Sequence, residues 1–337
     1  LINPASAASI KAAIEEIDDT FNYNSVANHK GDMLTNALYA QMESMLPYDF
    51  TLSYGVRYTW VKSSMNRADG IKTLGTFGTV NGMDVGMEGS SDNSRPVFNV
   101  GLTWSGIPDL TLRATFAQGF RVPSLQEKYV MSAMGGGTIP GLKPETSNSY
   151  EIGARYVHDG LSVDVAAFYS DADDYIYNPT IDPDTDTSRY INISSAKTHG
   201  VELAASYDFE NGLTPYASAT WMRRKFDYGT LSTWKTGVPE WSGRAGVRFK
   251  HALSENVDFN ADVYGRFSSN SVEKTESETL HYNNWQTANV AFGFDFGDEK
   301  QYSVTAEVLN LFDKRYRQDD SILEPGLHAN IKVGMKF

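Results

Sequence analysis

Apolar and polar residues alternate along most of this chain. The final residues, LHANIKVGMKF, put Ala329, Ile331, Val333, Met335 and Phe337 on one face of a strand and Asn330, Lys332, Gly334 and Lys336 on the other. The same period of two recurs in Tyr54–Trp60, Leu110–Phe116, Leu161–Tyr169, Val201–Phe209, Trp241–Phe249, Val257–Val263 and Val290–Phe296. Thirteen such segments are centred near positions 42, 56, 100, 114, 152, 165, 204, 218, 246, 262, 291, 306 and 332. At about 10 residues each they are longer than ordinary globular strands and match the length that crosses a bilayer at a tilt.

The connections alternate in length. Short turns at 47–49, 105–109, 157–160, 210–212, 251–256 and 297–300 are separated by long polar stretches at 61–95, 120–147, 171–197, 225–239, 268–283 and 313–326. A meander with one short-turned and one long-looped rim is the pattern of an outer-membrane barrel. Apolar faces rich in Tyr, Phe and Trp suit a lipid interface, and charged opposite faces suit a wet lumen. The predicted fold class is therefore all-β, a transmembrane antiparallel up-and-down β-barrel. In that setting Phe337 would end the last strand at the inner interface.

Composition narrows the partners. Among 337 residues, 42 Asp and Glu outweigh 29 Lys and Arg, which argues against nucleic acid. No cysteine is present, which removes thiolate metal sites, disulfides and cysteine nucleophiles. No apolar run is long enough for a membrane helix, which leaves a barrel open. The start has neither a basic n-region nor a long apolar stretch, so it is not a signal peptide, and it reads as a cut into a larger chain. No G-x-S-x-G or H-E-x-x-H occurs, and the paired carboxylates lie in loops, so no enzyme is expected.

Several segments resemble TonB-dependent outer-membrane receptors. TNALYAQMESMLPYDFTLSYGVRYTW (35–60), ATFAQGFRVPSLQEKY (114–129), LKPETSNSYEIGARY (142–156), THGVEL (198–203) and AEVLNLFDKRY (306–316) follow that family's order, and Phe337 closes it. The resemblance implies a barrel of 22 strands around an N-terminal plug. The thirteen segments here would be the tenth to the last, with the plug absent from this chain. Residues 35–337 would be the C-terminal part of the barrel wall. Residues 1–34 would be an external loop or linker, with a helical pattern at 5–17 (Ile10, Ala13, Ile14, Ile17).

The resemblance further implies uptake of a ferric siderophore or haem across the bacterial outer membrane. The partners would be the TonB-ExbB-ExbD energy complex acting through the plug, outer-membrane lipids and lipopolysaccharide, and a small iron-containing ligand that is transported and is not a cofactor. A passive porin and a loop-mediated adhesive barrel are the alternatives. Candidate ligand contacts are Arg121, Tyr129, Arg223, Arg224 and His281. Arg121 would pair with an anion and Tyr129 would stack on or ligate iron. Arg223 and Arg224, with Lys225, would contact lipid phosphates or an anionic ligand. His281 leads His29 and His328 as a haem axial ligand, although the stretch after F-R-x-P contains no His. Motif positions with structural roles are Phe120, Pro123, Glu127, Pro144, Glu145, Asn310, Phe312, Asp313, Tyr316 and Phe337; Pro would fix the exit of a loop and Glu would bond its backbone. Gly135–Gly137 lacks the G-K-[ST] of a phosphate loop, and Asp182, Asp184 and Asp186 are half of a calcium pattern without its Gly and Glu.

Overall fold

The computed structural model describes residues 23–74, 79–81, 86–130, 141–177, 190–275, 279–318 and 323–336. The helical pattern at 5–17, Gly135–Gly137, the Asp182–Asp186 run and Phe337 lie outside them. The strands are β1 (Tyr23–Leu46), β2 (Phe50–Leu74), β3 (Thr79–Asn81), β4 (Gly89–Ile107), β5 (Leu110–Arg121), β6 (Glu145–His158), β7 (Leu161–Tyr177), β8 (Ile191–Tyr207) and β9 (Leu213–Asp227). They continue as β10 (Ser232–Thr233), β11 (Trp241–Ser254), β12 (Val257–Ser268), β13 (Ser271–Lys274), β14 (Thr279–Tyr282), β15 (Trp285–Phe296), β16 (Tyr302–Leu309) and β17 (His328–Met335). One short helix, α1, spans Leu125–Tyr129.

One sheet runs β1-β2-β4-β5-β6-β7-β8-β9-β11-β12-β15-β16-β17, each strand antiparallel to the next. All thirteen alternating segments are in it, one per strand, in chain order. The short turns share one rim because successive strands run antiparallel, so every second connection returns to the same side; tight hairpins there need left-handed residues, and the sequence supplies them. Tyr48 and Asp49 have φ of 62° and 63°, and Asp159–Gly160 have 44° and 81°. At Gly160 a Cβ would come within 2.4 Å of the Asp208 carbonyl oxygen, so the turn takes only glycine there.

The strands extend beyond the apolar alternation. β1 begins at Tyr23, so residues 23–34 are strand and not connection, and β2 runs for 25 residues. The expected loop 61–95 shrinks accordingly, and 268–283 contains the β13–β14 hairpin. Backbone ladder bonds need no apolar side chains, so pairing continues past the level where apolar residues are required. His251 likewise lies within β11, whose turn is confined to residues 255–256.

The two faces differ as predicted. Ile152 (65%), Val263 (58%), Phe292 (46%) and Val333 (78%) are all exposed on one face, an apolar surface too broad for contact with water. The opposite face is polar and internally bonded. Arg113 donates to Glu151 at 2.9 Å and pairs with Asp164 at 2.9 Å. Arg244 pairs with Asp262 at 2.7 Å, donates to the Tyr216 hydroxyl, and stacks 3.7 Å from the Tyr264 ring centre. The apolar face is the lipid face and the charged one lines the interior.

Candidate functional site

The long-looped rim carries three arrangements. The first is built on F-R-V-P-S-L-Q-E. Pro123 is fully buried after β5, and Ser124 caps α1: its hydroxyl accepts from the Glu127 amide at 3.2 Å, while Glu127 accepts from the Ser124 amide at 2.7 Å. Arg121 donates to Glu127 at 2.9 Å and to Glu145 at 3.3 Å, and Glu145 also accepts from the Ile176 amide. Both forks of the guanidinium are thus occupied by carboxylates of its own loop. Gly31 lets α1 approach, since a Cβ there would meet Leu125 at 2.9 Å and Met65 at 3.2 Å. Tyr129 is only 2% exposed; its ring lies against Gly89 and its carbonyl accepts from Met87 at 2.9 Å. Burial holds the Lys128 ammonium below its usual pKa. Phe120 is half-buried and Pro144 precedes β6.

The second is the β13–β14 hairpin. Glu273 accepts from Tyr177, at the outer end of β7, at 2.9 Å and from Tyr282 at 3.0 Å. Burial first, then Tyr228 and Glu273, push the Tyr177 phenol far above its usual value. Tyr177 belongs to an apolar cap in which Ala172, Ile193, Ala196 and Phe226 are buried.

The third lies between that hairpin and the β16–β17 connection. Asn310, with φ of 55°, bonds the carbonyls of Lys314 and Pro325 and accepts from the Lys314 amide, while Asp313 accepts from the Leu327 amide. The N-L-F-D motif is therefore a turn lock, with Phe312 left 82% exposed. Tyr316 stacks on Trp285 at 4.3 Å, and burial raises its phenol's pKa. Beyond this lock, Lys314, Arg315, Tyr316 and Arg317 face His281 and Tyr282 across a cavity of about 350 Å³. None of its described lining residues is acidic. The cavity is concave, cationic and aromatic, which suits an anionic planar or aromatic ligand.

The predicted contacts are thus dispersed. His281 lines the cationic cavity, whereas Tyr129, the last residue of α1, is sealed against Gly89 and Arg121 is tied into its loop. Arg223 and Arg224, adjacent in sequence, point to opposite faces: Arg223 pairs with Glu240 at 3.1 Å, and Arg224 donates to Thr198 at 3.2 Å. His29 lies inside β1, and His328 opens β17 with Nδ1 2.8 Å from the Gly326 carbonyl oxygen. Sequence reasoning missed Lys314, Arg315, Arg317 and Tyr282; the dense K-R-Y-R run after N-L-F-D was the signal. Among the described residues no cluster of His, Asp and Glu is arranged to hold a metal ion.

A family model described as "TonB dependent receptor-like, beta-barrel" matches residues 9–311. A Heme/hemopexin utilization protein C of Haemophilus influenzae (strain 86-028NP) is 27% identical over 265 residues, covering 70% of this chain and 36% of that protein. A vitamin B12 transporter BtuB of Vibrio vulnificus is 32% identical over 126 residues, 37% of this chain and 19% of that protein. Among solved structures, the ferric yersiniabactin uptake receptor FyuA of Yersinia pestis superposes with a TM-score of 0.62 at 20% identity, covering 93% of this chain and 46% of that one. The copper transporter OprC gives 0.72 at 16% identity, with 91% and 50% covered. The chain spans about a third of the length of the first of these curated relatives and about half of these solved structures.

Proposed function

This chain belongs to the TonB-dependent receptors, outer-membrane β-barrel proteins of Gram-negative bacteria, and on that premise we propose that the protein carrying it takes up haem or a ferric siderophore with TonB-supplied energy. The cationic cavity between the β13–β14 hairpin and the β16–β17 connection is the observation that carries the reading. Lys314 and Arg315 would meet the carboxylates of haem, or the charge of a ferric chelate, and Tyr282 and Tyr316 would stack on its plane. His281 would supply an axial nitrogen if the ligand is haem. The Haemophilus relative, a heme/hemopexin utilization protein, and the structurally similar Yersinia receptor for ferric yersiniabactin lie on the two sides of that choice. The barrel wall would shape the ligand cavity, and the TonB-ExbB-ExbD complex, acting through an N-terminal plug, would supply the energy for release. No covalent chemistry is involved.

The test is a hemin titration of the full-length receptor in detergent, following the Soret band. A saturable, shifted band that weakens in His281→Ala assigns haem and its axial ligand. No specific band drops haem and leaves the ferric siderophore as the leading substrate, and Lys314→Gln/Arg315→Gln then becomes the variant whose affinity for ferric chelates is measured.

A further inference from the structure

The second cluster of cations on the rim faces away from the interior. In β8 and β9 the lipid-facing positions are Val201 and Leu203, opposite Trp221 and Ala219. Continuing that face outward gives His199, Lys197, Arg223 and Lys225, in the pairs His199↔Arg223 and Lys197↔Lys225. Arg223 lies ten positions beyond Leu213, where β9 leaves the short-turned rim, and Lys197 ten before Tyr207, where β8 returns to it. About ten residues is the length of a strand that crosses the bilayer, so these cations stand at the outer headgroup level.

A loop residue completes the cluster. β10 folds back onto the end of β9 through Ser232↔Asp227 and Thr233↔Phe226, and Trp234 follows it. The Trp234 ring lies 4.9 Å from the Arg223 guanidinium, 6.0 Å from the Lys225 ammonium and 5.4 Å, edge-on, from His199. His199 also meets Trp221 edge-on at 5.6 Å, and Trp241 pairs with Trp221 across the next ladder. Trp234 and Trp241 are 44% and 50% exposed. Lys225 has no carboxylate partner among the described residues. Arg223–Glu240 (3.1 Å) is an exposed pair of the weak surface kind, which a doubly charged phosphate can displace, and Lys197 pairs with the half-buried Asp171 at 3.4 Å. Arg223 presents a planar fork for phosphate, and the indoles supply the amphipathic surroundings of an interface.

We propose that the outward face of β8–β9 around Trp234 binds the phosphorylated headgroup of an outer-leaflet lipid, with Arg223 and Lys225 on the phosphate and Trp221, Trp234 and Trp241 beside the sugar or acyl boundary. The site is on the opposite side of the sheet from the cationic cavity and is independent of the ligand taken up. The chemistry it recognises is a phosphate monoester, and the depth of the cluster assigns that ester to a membrane lipid and not to a solute.

The experiment titrates bis-phosphorylated lipid A into the full-length receptor in nonionic detergent and reads binding by native mass spectrometry. Dephosphorylated lipid A and inorganic phosphate are titrated in parallel. Saturable binding of lipid A is expected, weakened about tenfold or more in Arg223→Gln/Lys225→Gln, because each cation near an anionic surface contributes on the order of a severalfold factor. Glu240→Gln, which frees Arg223, tightens it; this variant keeps the test decisive if the double variant fails to fold. Equal affinity for dephosphorylated lipid, displacement by inorganic phosphate at equal concentration, or wild-type affinity in both variants would overturn the assignment.

Discussion

The Tyr177 hydroxyl donates to Glu273 at 2.9 Å across 96 residues of sequence, joining the outer end of β7 to the β13–β14 hairpin. Glu273 also accepts from Tyr282 within the hairpin, so one carboxylate fixes both the shape of the hairpin and its seat on the sheet. The same hairpin carries His281, and the position of the cationic cavity depends on it.

Replacing Tyr177 by Phe leaves one Glu273 oxygen without its partner. An opening free energy lower by about 1–3 kcal/mol is expected for residues 271–282, read by hydrogen exchange of their amides. Unchanged protection would show that the hairpin is held by other contacts. The pH dependence has a definite sign. The folded-state pKa of Tyr177 is raised, so its contribution is complete below the phenol's unfolded value of about 10 and is lost as pH rises beyond it. Protection of the hairpin should therefore be flat from neutral pH to about 9 and fall above about 10.

Tyr129 is sealed against Gly89, so Tyr129→Phe should leave ligand affinity within twofold or so of wild type, since truncating a hydroxyl outside the binding surface changes little. Tyr129→Ala should instead destabilise the α1 region by about 3–5 kcal/mol, as expected for removal of a buried aromatic ring. Isothermal titration separates the two effects. A large loss of affinity in Tyr129→Phe would place the phenol on the ligand after all.

Arg121, Glu127 and Glu145 act as one unit, so their substitutions should not add. In a double-mutant cycle, Arg121→Met and Glu127→Gln together should cost about 0.5–3 kcal/mol less than their sum, measured by local hydrogen exchange at α1. Strict additivity would contradict the shared ion cluster.

The two faces of the sheet should respond differently to charge. Ile152→Arg, near mid-height on the lipid face, should destabilise the folded barrel by about 2–4 kcal/mol in lipid vesicles, whereas Asn99→Arg on the interior face should cost about 1 kcal/mol or less. Equal costs would refute the assignment of faces.

Much of the fold was legible because a membrane wall repeats one instruction: each strand alternates between lipid and water. Val290–Phe296 and Ile331–Met335 each state it without reference to any other segment. Asp159–Gly160 likewise fixes its own turn. The strand ends were not legible, because beyond the lipid level the backbone ladder continues without an apolar alternation to mark it, as in residues 23–34. The rim was harder still. Tyr177 and Glu273 meet only through tertiary folding, and neither lies in a period. Arg121 carried the opposite error: its motif was visible, but its two carboxylate partners, and so its occupied state, appear only when Glu127 and Glu145 converge. The adjacent Arg223 and Arg224 resemble one basic patch in sequence, and strand alternation sends them to opposite solvents.

The proposed activity is energised uptake through the cationic rim. It is tested most directly by following radiolabelled iron from hemin and from ferric siderophores into cells producing the full-length receptor, with and without a protonmotive force. Saturable accumulation that stops when the force is collapsed, and that falls in Lys314→Gln/Arg315→Gln, is the predicted result. Accumulation that continues without energy, or that ignores the loss of both cations, would contradict it.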